Sequence, residues 1–273
     1  MAQLNFFYKN KSVYGILLLV CVLGFWLFEN FYTPDAYTIS DDEVIKTPVP
    51  SFIVPSSTAG QLVQHHNFML SYNENFEQAE WVAYVLKKSH LTSDDRKRPY
   101  FIEDPKVKTK SADWRNYKGS GYDRGHLCPA GDRRFSEQAY NETFYTSNIT
   151  PQNKDFNAGV WNRLEMKVRQ WAKQHGEVFV ITAGVLEPGL EEIGDEDVAV
   201  PRQYYKIVAR GKAENLKVLG FLMDGKESSK PLDEFTVAVD RIEERTGIDF
   251  FSELPDSVEK KLESANNRSA WMF

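Results

Sequence analysis

Residues 123–165 constrain this chain more than any other stretch. The stretch begins Asp123-Arg124-Gly125-His126 and passes through Ser147-Asn148-Ile149-Thr150-Pro151-Gln152. It closes on Asn157-Ala158-Gly159-Val160-Trp161-Asn162-Arg163-Leu164-Glu165. A histidine beside an arginine, two asparagines and a glutamate form a polar set suited to phosphodiester hydrolysis. Neutral histidine takes a proton from water near pH 7. Asparagine and carboxylate oxygens suit a hard cation such as Mg²⁺. Arginine grips phosphate through two parallel hydrogen bonds.

The same stretch has a readable shape. Residues 144–149, rich in aromatic and β-branched side chains, predict a short strand that Pro151 should end. From Asn157 onward Val160, Trp161, Leu164, Val168, Trp171 and Ala172 recur at helical spacing, with Gly176 as the stop. His126 then precedes a strand and Asn157 opens a helix. Such a hairpin holds a base and a metal ligand on opposite sides of one phosphate.

These residues resemble the signature of the sugar-nonspecific DNA/RNA endonucleases, the family of endonuclease G and the Serratia-type nucleases. That signature is Asp-Arg-Gly-His, then Ser-Asn-Ile-Thr-Pro-Gln, then Asn-x-x-x-Trp-x-x-Leu-Glu, and every position is present. A weaker match runs from about His66 to about Leu262. The resemblance implies an α+β fold with a mixed, largely antiparallel sheet and a ββα-metal catalytic motif. It implies His126 as general base, Asn157 as direct metal ligand and Glu165 as a group near the metal's waters. It also implies Arg124 and Asn148 as residues that place the phosphate, and DNA and RNA as substrates cut to 5′-phosphate ends. The implied cofactor is Mg²⁺, with Mn²⁺ as the alternative. Cys128 stands where many relatives carry a small residue. On one continuous helix, Asn157 and Glu165 would lie roughly 12 Å apart along the axis and about 80° apart around it. That separation favours Asn157 as the direct ligand and a water-mediated role for Glu165.

The formal charge of −6 argues against a simple polyanion-binding protein. The charge is uneven. Residues 96–134 hold eleven Lys/Arg against five Asp/Glu, an excess of six around the motif. A phosphate backbone needs such an excess, although a solvated surface carries one equally well. Arg98 is a further candidate for phosphate contact, weighed evenly against an ordinary surface arginine.

Residues 1–32 read as a membrane anchor or signal segment and 33–60 as a Pro- and Ser-rich linker. Residues 61–273 read as the endonuclease domain. Residues 12–28 are 17 uncharged positions, about 26 Å as a helix and slightly short of a bilayer core. Phe25, Trp26, Phe28, Phe31 and Tyr32 would form an interfacial aromatic belt. Lys9 and Lys11 precede the run, while Glu29, Asp35, Asp41, Asp42 and Glu43 follow it. One N-terminal transmembrane helix is therefore expected, with the catalytic domain outside the cytoplasm. Secretion after signal cleavage is the alternative.

Further strands are expected at 68–72, 79–86, 178–184, 203–209 and 217–223, and helices at 237–246 and 257–264. His65, His66, His90 and His175 lack ligand spacing and are assigned structural or solvated roles. Asp123 is given an orienting role and Trp161 a place in the core. The acidic run from Glu187 to Asp197 reads as a solvated loop ahead of a second cation site. Cys21 and Cys128 are not expected to pair. Two other classes compete with an endonuclease: a catalytically inactive, membrane-tethered nucleic-acid-binding protein, and a membrane-tethered interaction protein.

Overall fold

The computed structural model describes residues 11–32, 34, 36–37, 45–56 and 59–273, without the side chains of Ser12, Glu29 and Glu214. The chain divides into two compact units, Met1–Asp35 and Ala36–Phe273.

In the first unit, helix α1 (Lys11–Phe31) is 21 residues long. Its apolar side chains are bare: Leu18 is 67% and Phe25 71% exposed. The apolar run described without a break, residues 13–28, has 16 positions. It measures about 24 Å against a hydrocarbon core of roughly 30 Å. Among the described residues, no helix is long and apolar enough to cross a membrane. The expected transmembrane helix is thus corrected to an exposed apolar helix. Lys9, Asp35, Asp41, Asp42 and Glu43, on which the expected orientation rests, lie outside the described residues.

The second unit is built on a seven-stranded sheet. Its strands are β1 (Gln61–Gln64), β2 (Met69–Asn73), β3 (Gln78–Lys87), β6 (Glu177–Gly184), β9 (Gln203–Arg210), β10 (Lys217–Asp224) and β11 (Thr236–Val237), in that spatial order. Every neighbouring pair is antiparallel. The central strands are buried on both faces, which explains their near-continuous β-branched and aromatic runs. Alternation along β9 assigns those faces. Tyr204 and Lys206 turn toward Trp161, while Tyr205 packs against Phe250 on the other side.

Helix α3 (Asn162–His175) covers the first face with Leu164, Val168, Trp171 and Ala172, and stops at Gly176 with φ 89°. Helices α4 (Val239–Thr246) and α5 (Asp256–Glu263) close the chain. A second apolar cluster forms around Phe101, Tyr117, Tyr140, Phe144 and Ile149. It supports the two-stranded ribbon of β4 (Asp123–His126) and β5 (Ile149–Gln152), the short helix α2 (Glu137–Glu142), and the hairpin of β7 (Glu191–Ile193) and β8 (Val198–Val200).

Two local expectations are corrected here. Residues 146–148 form a 3₁₀ turn, and the strand begins at Ile149 and runs through Pro151. Pro151 sits opposite Arg124 in a ribbon with only two strands. Both strands of such a ribbon are edges, where a missing N–H is tolerated. His126 therefore ends a strand instead of merely preceding one.

Candidate active site

The β4–β5 ribbon sets the position of His126. Gly125 of the Asp-Arg-Gly-His run lies against Gln152, whose side chain a Cβ there would strike. The next residue turns its ring edge-on to Phe144, with centroids 4.9 Å apart, and sits beside Phe101. Nε2 of His126 is buried and has no hydrogen-bond partner among the described residues. Burial first, then the charges of Arg98 and Arg124, lowers its pKa to about 3. The imidazole is therefore neutral, with a polar atom left unsatisfied.

Asn148 works behind this residue. The Cys128 N–H donates to its Oδ1 at 2.8 Å, and its Nδ2 donates to the carbonyls of Cys128 and Thr143 at 3.0 and 2.9 Å. Its side chain is fully buried and its amide is fully engaged with backbone. It clamps the turn leaving His126. That arrangement does not place it in contact with a phosphate.

Asn157 is presented by a different device. Asn153 caps the preceding turn by accepting from the N–H groups of Asp155 and Phe156. The chain then enters a π-type turn, Asn157–Trp161, in which Gly159 leaves helical geometry at φ −97° and ψ −109°. The Glu227 carboxylate enters this break and accepts the Val160 N–H at 2.9 Å. A Cβ on Gly159 would collide with it. The continuous helix expected from Asn157 to Glu165 is thus corrected to two helical pieces about a break. The separation calculated along one axis does not apply.

Nδ2 of Asn157 donates to Asp123 Oδ2 at 3.0 Å. Its Oδ1 is the acceptor left over. Asn157 and Asp123 both line a cavity of about 480 Å³ with Arg98, Arg124, His126 and Phe144. An uncommitted amide oxygen beside a carboxylate fits a hard divalent cation, which takes oxygen ligands. Among the described residues, no nitrogen–sulfur cluster suggests a softer one.

The two arginines of the cavity rest on aromatic faces. Arg124 lies 4.7 Å from the Phe101 ring centre and 5.6 Å from that of Trp114. Arg98 lies 5.2 and 5.7 Å from the centres of Phe101 and Phe144. Neither takes part in an ion pair among the described residues. Burial and the nearby Arg98 charge lower the pKa of Arg124. Asp123 shares the cavity and partly offsets their charge, and the paired guanidinium groups fit an anion such as phosphate.

Glu165 does not line that cavity. It joins a buried ionic group behind it, assembled from three elements. Arg169 donates to Asp132 at 2.5 Å and to Glu165 at 3.4 Å. Lys206, fully buried on β9, donates to Thr182 at 3.2 Å and lies 4.6 Å over Trp161. Burial raises Glu165 to about 7 against the opposing charges of Lys206 and Arg169. Burial lowers Lys206 to about 8 against Glu165 and Asp132. Sequence reasoning missed Asp132, Arg169, Lys206 and Glu227. Lys206 alone left a signal, as one charge inside the run Tyr204-Tyr205-Lys206-Ile207-Val208.

Residues 46–257 match the family described as DNA/RNA non-specific endonuclease. This chain is a member of that family. It is 33% identical over 251 residues to "Nuclease EXOG, mitochondrial" of Xenopus laevis, covering 86% of this chain and 69% of that protein. It is 37% identical over 205 residues to the Danio rerio protein of the same name, covering 69% of this chain and 60% of that protein. A chain from the crystal structure of the EndoG/EndoGI complex aligns with a TM-score of 0.68 and 29% identity. That alignment covers 77% of this chain and 95% of the other. The antiparallel sheet and mixed α+β architecture agree with that neighbour.

The remaining candidates of this endonuclease-family chain have structural partners. His65 Nε2 pairs with the buried carboxylate of Asp104 at 2.8 Å, and His66 pairs with Glu142. His90 stacks on Phe135 at 4.1 Å. Trp161 is fully buried. Cys21 and Cys128 are both unpaired, and burial raises the Cys128 thiol to about 12, which makes it inert. The acidic run is partly a hairpin, with Glu187 paired to Arg202 and Arg245.

Proposed function

We propose that this protein is a divalent-metal-dependent endonuclease hydrolysing phosphodiester bonds of DNA and RNA with weak sequence preference. One observation carries the proposal: the neutral His126, whose Nε2 has no hydrogen-bond partner among the described residues, shares a cavity with Asn157, Asp123 and two arginines. Arg124 and Arg98 hold phosphate oxygens and orient the scissile group. His126, held neutral by burial, accepts a proton from the attacking water. Asn157, oriented by Asp123, would hold Mg²⁺ or Mn²⁺. The ion would stabilise charge developing on the phosphate and on the leaving 3′ oxygen. Protonation of that oxygen leaves 5′-phosphate and 3′-hydroxyl ends. Glu165 acts from behind, through waters and through the charge balance with Lys206 and Arg169.

We further propose that the catalytic unit works outside the cytoplasm, released there by cleavage of the apolar N-terminal segment. The lysines before the apolar run and the acidic residues after it support this side of the membrane. Plasmid nicking with Mg²⁺, repeated with Mn²⁺ and then with excess EDTA, tests the activity. A purified, folded protein that leaves DNA and RNA intact under all metal conditions refutes it. Protease treatment of intact and opened cells tests the location. A catalytic unit protected in intact spheroplasts refutes it.

A further inference from the structure

On α4, α5 and the loop between them, five carboxylates gather, and none pairs with a basic group among the described residues. Carboxylate oxygens of Asp240, Glu243 and Glu263 lie within 4.8 Å of one another, as do those of Asp249, Glu259 and Glu263. Glu263 belongs to both groups and is the centre of the cluster. It is only 7% exposed. Its Oε1 is buried and has no hydrogen-bond partner among the described residues.

Basic neighbours do not neutralise the cluster. Arg241 pairs with Glu244 and Arg245 with Glu187. No ion pair among the described residues involves any of the five. Two of them accept one ordinary hydrogen bond each. Glu243 Oε1 accepts the Phe250 N–H at 2.9 Å, and Asp249 Oδ2 accepts the Ser56 hydroxyl at 3.0 Å. These bonds hold two of the carboxylates in place, and among the described residues the other three accept no side-chain or backbone hydrogen bond.

We propose that Asp240, Glu243, Asp249, Glu259 and Glu263 form a structural calcium site centred on the Glu263 carboxylate, separate from the catalytic cavity. An all-oxygen set drawn from two helices and a loop suits Ca²⁺, which accepts six to eight oxygens in flexible geometry. Mg²⁺ demands a tighter octahedron and retains its waters. The absence of His and Cys from the cluster argues against zinc. Burial and the four neighbouring carboxylates push Glu263 up to about 8 in the metal-free state. A bound cation would remove that repulsion and lock α5 onto α4 and the 248–250 loop.

Thermal unfolding and calorimetric Ca²⁺ titration of the full chain test the site. Both are run in an Asn157→Ala background, which removes metal binding at the catalytic cavity. Millimolar CaCl₂ should raise the melting temperature by about 5 °C, a typical shift for ligand near a hundred times its Kd. MgCl₂ should give a smaller rise. Adding Glu263→Gln should abolish the Ca²⁺ increment, and in EDTA that variant should melt no lower than its parent, since Gln is the neutral counterpart of the protonated carboxyl that burial and the neighbouring carboxylates favour. A parent indifferent to Ca²⁺, an equal response to Mg²⁺, or an increment retained in Glu263→Gln would overturn the proposal. If Glu263→Gln does not fold, Glu259→Gln replaces it. An unchanged increment there counts equally against the site.

Discussion

Asn157 Nδ2 donates to Asp123 Oδ2 at 3.0 Å, so the aspartate of the Asp-Arg-Gly-His run decides which end of the amide faces the cavity. Asn157→Ala should nearly abolish metal-dependent cleavage. Asp123→Ala should raise the Mg²⁺ concentration for half-maximal cleavage by about 10–100-fold, the usual effect of losing a residue that orients a ligand. A Mg²⁺ titration of each folded variant checks both. An unchanged titration curve for Asp123→Ala would contradict the orienting role.

His126→Ala should retain DNA binding and lose about 10²–10⁴ in cleavage rate. Burial lowers the folded pKa of His126 to about 3, below its ordinary 6.5. Between these values the unfolded chain takes up a proton that the folded protein refuses. The stability contributed is therefore fully present above about pH 6.5 and is lost as pH falls toward 3. Urea midpoints at a series of pH values should show wild type losing more stability over that window than His126→Ala. Parallel acid profiles for the two would place His126 in a more open setting.

Arg124 sits deeper in the cavity than the exposed Arg98, so the two should differ in weight. Arg124→Ala should cost cleavage more than Arg98→Ala. Each substitution that removes a phosphate contact should flatten the salt dependence of duplex binding by about one unit of log–log slope. Binding isotherms at several salt concentrations measure this. A slope unaltered by both substitutions would remove the pair from the phosphate site.

Glu165→Gln removes one negative charge from the buried group of Asp132, Arg169 and Lys206. Activity should fall by about 10–100-fold without vanishing, because Gln retains an acceptor oxygen. The Lys206 pKa should fall further, since Glu165 is the first of the charges that hold it up. Rates across pH 6 to 9 and NMR titration of the Lys206 ammonium give two separate readouts. A wholly inactive but folded Glu165→Gln would require direct participation of the carboxylate.

The long strands were legible because β-branched and aromatic runs at 178–184, 203–209 and 217–223 have no alternative burial. The stop at Gly176 was legible for a local reason, its positive φ. Strand β5 was not, because Pro151 is admitted only by a ribbon whose partner, β4, lies elsewhere in the chain. His126, Arg124 and Asn157 were identified through their motif, and they share one cavity with Arg98, which lies outside the motif and was weighed evenly against a surface arginine. Asn148 carries the same motif, yet its amide serves the backbone of Cys128 and Thr143. The group around Glu165 was illegible for a different reason. Its members come from the 3₁₀ turn at Asp132, from α3 and from β9, and only the tertiary fold brings them together.

The break at Gly159 separates two mechanical duties that a single rod would combine. Helix α3 is welded to the sheet through Leu164, Val168 and Trp171, with Trp161 just before it, while Asn157 is aimed by Asp123 and the Asn153 cap on the far side of the break. A small slide or rotation of α3 therefore need not swing Asn157 with it. Core substitutions can accumulate on α3 while the aim of Asn157 stays constant, so the scaffold can drift faster than the chemistry it carries.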